Sequence, residues 1–136
     1  VDIELALRSM LQRAFAGTGV RVDPTFPGVE RLPSVSAIRA GGIADWPPGA
    51  IERPRVDINA WSVRRQEAIN LVLDTVAYLK SSEGDTISFG DGIRFALAAC
   101  DETSGLFVDQ DASTAQGVYR CVTTVTLTIH QQAPMR

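Results

Sequence analysis

A chain of 136 residues, 45% hydrophobic and 21% charged, is long enough for one ordinary domain and too short for two. That composition excludes wholesale disorder, and the longest unbroken apolar run, Phe95 to Cys100, is far short of a membrane span. A net charge of −3 with no strongly basic stretch argues against a protein that grips duplex DNA by its phosphates.

Ile3, Ala6, Leu7, Met10, Leu11, Ala14 and Phe15 recur at helical spacing, which predicts an amphipathic helix over 3–16. Asp2 can cap its start, and Gly17-Thr18-Gly19 ends it. A short extended piece is expected at Val20 to Val22, followed by repeated breaks at Asp23-Pro24, Pro27-Gly28 and Pro33. From Ser34 the period is two, giving a strand over 34–40 that Gly41-Gly42 should end. The next dozen residues, centred on Trp46-Pro47-Pro48-Gly49, are expected to lack regular structure. Arg55 to Trp61 alternates cleanly: Val56, Ile58 and Ala60 share one face, while Arg55, Asp57, Asn59 and Trp61 share the other.

Ser62 can cap a second helix running to about Ser81. Its apolar positions, from Ala68 to Leu79, make more than one stripe, so cover on more than one side is expected. Short strands are predicted at Thr86 to Phe89 and Ile93 to Cys100. Residues 101–117 read as a long acidic loop or an excursion of a hairpin. Val118 to Ile129 is the longest strand, with Tyr119, Cys121, Val125, Leu127 and Ile129 on one face, and the tail from Gln131 should fray. The order α-β-β-β-α-β-β-β gives a single α+β domain over 1–136: a mainly antiparallel or mixed sheet flanked by two main helices.

The catalytic inventory is thin. His130 is the only histidine, which excludes a His-His metal site, and neither Gly41-Gly42 nor Gly90-Asp91-Gly92 opens a helix as phosphate cradling requires. Asp101, Glu102, Asp109 and Asp111 cluster in sequence, but their spacing matches no calcium loop and reads as a solvated turn. Asp57 on a strand beside Arg55 and Asn59 can be a base, or an ordinary structural carboxylate. Cys100 and Cys121 form no zinc or redox signature and read as small buried hydrophobes in a reducing compartment. No basic-then-apolar leader opens the chain, so secretion is not expected. No catalytic residue, cofactor or metal is assigned.

Two features stand out from ordinary surface. Arg64 and Arg65 fall in the first turn of the second helix, where the dipole disfavours cations by about 0.3–1 kcal/mol each. They are either solvated or meet acids on another chain. Trp46, Ile51 and the trio Leu106-Phe107-Val108 sit in expected loops, away from the periodic core. Such residues fold back as lids or anchor a partner's surface, and two such loops in a small chain favour interaction.

Taken in order, these features resemble the tail terminator (tail completion) proteins of long-tailed bacteriophages. The resemblance covers nearly the whole chain. It is carried by the helix Asp2 to Phe15 with its Gly turn, and by Pro33-Ser34-Val35-Ser36-Ala37-Ile38-Arg39 with Gly41-Gly42. It continues with Pro54-Arg55-Val56-Asp57-Ile58-Asn59-Ala60-Trp61, which runs into a helix bearing Arg65 and Ala68, and ends with a last strand opening on Tyr119-Arg120. It implies a structural virion protein with no catalytic residues, assembled in the host cytoplasm as a ring, hexameric like the tail tube. That ring would cap the tube protein at the tail-neck junction, stop its polymerisation and present a surface to the head-side connector. Genomic DNA would pass through its lumen without sequence-specific binding, and no membrane is involved. Under this reading Trp46, Ile51, Arg64, Arg65, Leu106 and Phe107 are the interface candidates, and Asp109 and Asp111 the channel-lining ones. The alternatives are another head-tail connector component, such as a stopper or head-completion protein, and a small acid-dependent enzyme.

Overall fold

The computed structural model describes residues 3–44, 51–89, 93–110 and 117–132. Helix α1 (Ile3–Ala14) buries Ile3, Ala6, Leu7, Met10 and Leu11, one stripe at spacings of three and four. Glu4 in its first turn and Arg13 in its last suit the helix dipole. The helix stops two residues short of the expected end, and Ala14 is exposed rather than buried. Beyond Leu11 the chain tightens into turns, with Thr18 N–H donating to the Phe15 carbonyl at 3.1 Å, and turns off through Gly17 and Gly19 at positive φ. Phe15 still packs partly against the core.

A two-residue strand β1 (Arg21–Val22) lies parallel to β2 (Ser34–Ala44), and a 3-10 turn at Val29–Arg31 joins them. Strand β2 pairs antiparallel with β3 (Ile51–Ser62) from Ser34↔Trp61 to Ala44↔Glu52. Gly41-Gly42 therefore does not end the strand. A bulge between Arg39 and Gly41 absorbs the irregularity, with Gly41 at φ 133°, and the ladder continues because it needs only backbone groups. Residues 41–44 and 51–54, expected to be irregular, form the paired legs of this hairpin, and Ile51 belongs to a strand. Trp46 lies outside the described residues.

Helix α2 (Arg65–Ser81) buries Ala68, Leu71, Val72, Thr75, Val76 and Leu79. This is a single stripe, so the expected cover on several sides is wrong. The polar Thr75 completes the stripe because its hydroxyl donates to the Leu71 carbonyl at 2.7 Å. Leu73 and Ala77 consequently face outward.

Strands β4 (Thr86–Phe89), β5 (Ile93–Glu102), β6 (Phe107–Gln110) and β7 (Tyr119–Gln132) complete a seven-stranded sheet. Its path is β1-β2-β3-β7-β5-β4, with β6 beside β7, and every pairing except β1–β2 is antiparallel. Strand β6 is one element more than expected: within the supposed loop 101–117, Asp101 and Glu102 extend β5, and Phe107 to Gln110 pair with β7. Gln131 and Gln132 likewise pair with Phe95 and Arg94 rather than fraying. The long β7 acts as a template on which shorter segments acquire partners, even where their own side chains carry little β signal.

The chain is thus a mixed α+β fold with two helices. Those helices do not flank the sheet from opposite sides. Val56, Ile58 and Ala60 of β3 and Cys121, Val125, Leu127 and Ile129 of β7 share one buried core with both helix stripes. The opposite face carries Asp57, Asn59 and Trp61. Asn59 and Trp61 are nevertheless buried there, with Phe26 tilted against Trp61 at a ring separation of 5.9 Å. Two carboxylates cap outward N–H groups of the sheet: Glu4 Oε1 accepts from Arg39 N–H at 2.7 Å and Glu83 Oε1 from Cys100 N–H at 2.9 Å.

Candidate interaction surfaces

The residues that could carry chemistry are held apart. Asp101 pairs with Thr126 and Asp109 with Arg120, six positions away along β7, or about 20 Å at strand rise. Glu102 turns to the helix face, where its carboxylate meets Lys80 Nζ at 3.1 Å. Asp111 lies outside the described residues, and no group of three or more metal-ligating side chains occurs among those described. Asp57 Oδ1 accepts the Thr124 hydroxyl at 2.7 Å across the β3–β7 pair, a structural contact between strands. His130 is exposed on β7 opposite Ile51.

Both thiols are buried and free. Cys100 pairs with Leu127 while Cys121 pairs with Ala60, so the two cysteines are also about 20 Å apart along β7. A disulfide between them would need a Cα separation below about 7 Å. Burial, reinforced at Cys100 by Glu83, pushes both thiols up to about 11, which makes them poor nucleophiles.

Exposed apolar side chains instead gather in two places. The first is the start of α2. Trp61 and Ser62 end β3, and Arg64, extended at φ −115° and ψ 124°, is the residue that caps the helix. The expected cap, Ser62, acts from two residues earlier: its hydroxyl accepts the Arg64 N–H at 3.0 Å and donates to Glu67. This tether turns Val63 outward, 54% exposed, beside Val29 of the 3-10 turn, 44% exposed. Together with Leu32, Pro33, Ser62, Arg64 and Glu67 they line a cleft of about 290 Å³. Arg64 and Arg65 are both exposed; Arg65 opens the helix, whereas Arg64, expected in the first turn, precedes it as the extended cap residue.

The second place is the groove between α2 and the β5–β6 connection. Leu73, 50% exposed, and Ala77 face Leu106, 41% exposed, across a pocket of about 210 Å³ floored by Val72, Val76 and Thr123. The Lys80–Glu102 pair closes one end, and its hydrogen bond raises the lysine pKa above 10.5. Phe107 begins β6 opposite Val122, on the face away from the helices, and at 58% is the most exposed large hydrophobic among the described residues.

No protein-family model matches the chain, and no curated protein matches it either.

Of the interface candidates, the structure brings Leu106 to the α2 groove, sets Arg64 in the Val29–Val63 cleft and leaves Arg65 and Phe107 exposed nearby. Ile51 is half-buried in β3 and joins neither surface. Asp109 has its backbone in β6 across from Arg120. Sequence reasoning missed Leu73, Val63 and Val29. Leu73 was findable: with Thr75 counted in the stripe 68-71-72-75-76-79, position 73 falls outside it. Among the described residues no helix is long and apolar enough to cross a membrane.

Proposed function

We propose that this chain is a structural subunit of a phage tail, a tail terminator that assembles as a ring on the end of the tail tube and stops its growth. The observation that carries this reading is the set of exposed apolar side chains, Val29 and Val63 near the start of α2, Leu73 and Leu106 across the α2 groove and Phe107 on the other face of the sheet, on a domain in which Asp101 and Asp109 stand far apart along β7. A protein that acts by occupying a polymer end needs surface complementarity and no turnover. Exposed large apolar side chains gathered beside charges are the usual material of such contacts. The fold also supports the reading through element order. Pro33 leads into β2, and Arg55 to Trp61 run in β3 straight to α2 with Arg65 and Ala68. Tyr119-Arg120 then open β7, as in the family that the sequence resembles. A net charge of −3 suits a lumen through which DNA must pass without sticking.

The test is deletion of the gene in its phage, with wild-type protein supplied in trans. Electron microscopy should show tails of irregular or excessive length that fail to join heads, while filled heads accumulate. Tails of normal length would refute the terminator reading. Normal tails left unattached would instead identify a head-side connector component.

A further inference from the structure

Residues 23–33 leave the sheet at β1, reach over its face away from the helices and return to it at β2. Both ends are pinned. Arg21 N–H donates to the Pro33 carbonyl and Asp23 N–H to the Val35 carbonyl, each at 3.0 Å, and the Ser34 hydroxyl donates to Asp23 Oδ2 at 2.8 Å. Between these pins little holds the segment down. Among the described residues, the hydrogen bonds of 24–32 stay within the 3-10 turn, from Arg31 N–H to the Gly28 carbonyl and from Leu32 N–H to that of Val29. Each of residues 24–33 is half-buried or exposed. A cleft of about 290 Å³ lies between Val29, Leu32 and Pro33 and the start of α2 at Val63 and Arg64, so packing there is loose. What remains is Phe26, whose ring meets that of Trp61.

The sheet surface on that side gains little from being covered. Ser34 pairs with Trp61 and Ser36 with Asn59, so these four side chains share the face away from the helices, and all four are buried. Three of them are polar. The fourth buries an indole Nε1–H that finds no acceptor, and the Ser36 hydroxyl is also without a partner. A buried donor without an acceptor has given up its bond to water, a loss that is recovered as soon as water reaches it. The closed position is therefore opposed by the same indole that Phe26 packs against. A segment with so few contacts also regains chain entropy when it is released.

We infer that residues 24–33 form a strap that lifts from the sheet while the helices and strands stay folded, turning between the pins at Asp23 and Pro33 and uncovering Trp61. Opening hands the indole N–H to water. Trp61 is then accessible to another molecule only in the open form, which makes the strap a gate on that face. This motion belongs to the single chain and does not depend on the proposed ring.

Hydrogen exchange and limited proteolysis of the full chain test it. In NMR spectra, with Trp46→Phe used to assign the indole signal, Trp61 Nε1–H corrected for its intrinsic rate should exchange about ten-fold or more faster than the amides of Ile58 and Val125 in the middle of the sheet. Its rate should stay flat in dilute urea while those of the two amides climb, because lifting a strap exposes little surface and global unfolding exposes much. Trypsin should cut the native protein after Arg31, a bond that the 3-10 turn keeps from an extended fit until the strap lifts, also at a rate flat in dilute urea. Phe26→Ala should quicken both processes several-fold and leave the Ile58 and Val125 amides unchanged. Indole exchange that tracks the core amides in rate and urea dependence overturns the inference. So does an Arg31–Leu32 bond that resists trypsin until the core unfolds, or Phe26→Ala quickening core and indole exchange alike.

Discussion

Leu11 is the most informative single site for the packing of α1. Its side chain is fully buried in the core shared by both helices and the sheet. Leu11→Ala removes about three methylene equivalents, a transfer loss of about 2.4 kcal/mol at about 0.8 kcal/mol each. A rigid wall of strand side chains collapses little into the space, so a cavity contribution of about 1 kcal/mol is added, giving about 3–4 kcal/mol. For a domain of this size that corresponds to a fall in melting temperature of about 10–15 °C. Leu73→Ala is the matched control, because half of that side chain is already in water and the change should stay within about 0.5 kcal/mol. Thermal and urea unfolding monitored by circular dichroism measure both. Equal losses for the two variants, or no loss for Leu11→Ala, would refute the assignment of the α1 stripe to the core.

Three further outcomes follow from the geometry. With both thiols raised to about 11, the native protein at pH 8 should react with iodoacetamide far more slowly than after unfolding, and oxidation should yield no intramolecular disulfide; rapid native labelling would contradict the burial. Glu102→Gln should return the Lys80 pKa towards 10.5 in an NMR titration with no measurable change in melting temperature, since the ammonium is fully exposed. The sign is that of a raised lysine: whatever the pair contributes is present below pH 10.5 and is lost as pH rises through the folded value, so no loss is expected near neutrality. Glu83→Ala should cost about 1–3 kcal/mol by stranding the Cys100 N–H, and Glu83→Gln, which keeps an acceptor oxygen, should cost clearly less; equal costs would show that the hydrogen bond is not what matters.

Much of the fold was legible wherever a segment has to bury one face and leave the other wet. The α1 stripe, the alternation from Arg55 to Trp61, and the Cys121–Ile129 face of β7 are periodic because each packs on one side only. The single histidine was visible in composition, whereas the separation of Asp101 from Asp109, which cluster in sequence, appears only when both are paired along β7. Arg64, Arg65, Leu106 and Phe107 stood out because they broke local expectation, and the structure leaves all four exposed.

What the sequence could not determine lies in contacts between distant segments. Strand β6 and the outer legs of the β2–β3 hairpin exist because neighbouring strands offer unpaired backbone groups, a demand that leaves no periodic trace in their own residues. The single-sided burial of α2 depends on both helices sharing one face of the sheet, which leaves Leu73 and Ala77 uncovered. The Val29–Val63 cleft joins positions 34 residues apart, closed by a turn before β2 and a hydroxyl tether before α2. Local pattern records which face of an element avoids water, and only the assembled chain decides what covers that face and which apolar side chains are left exposed.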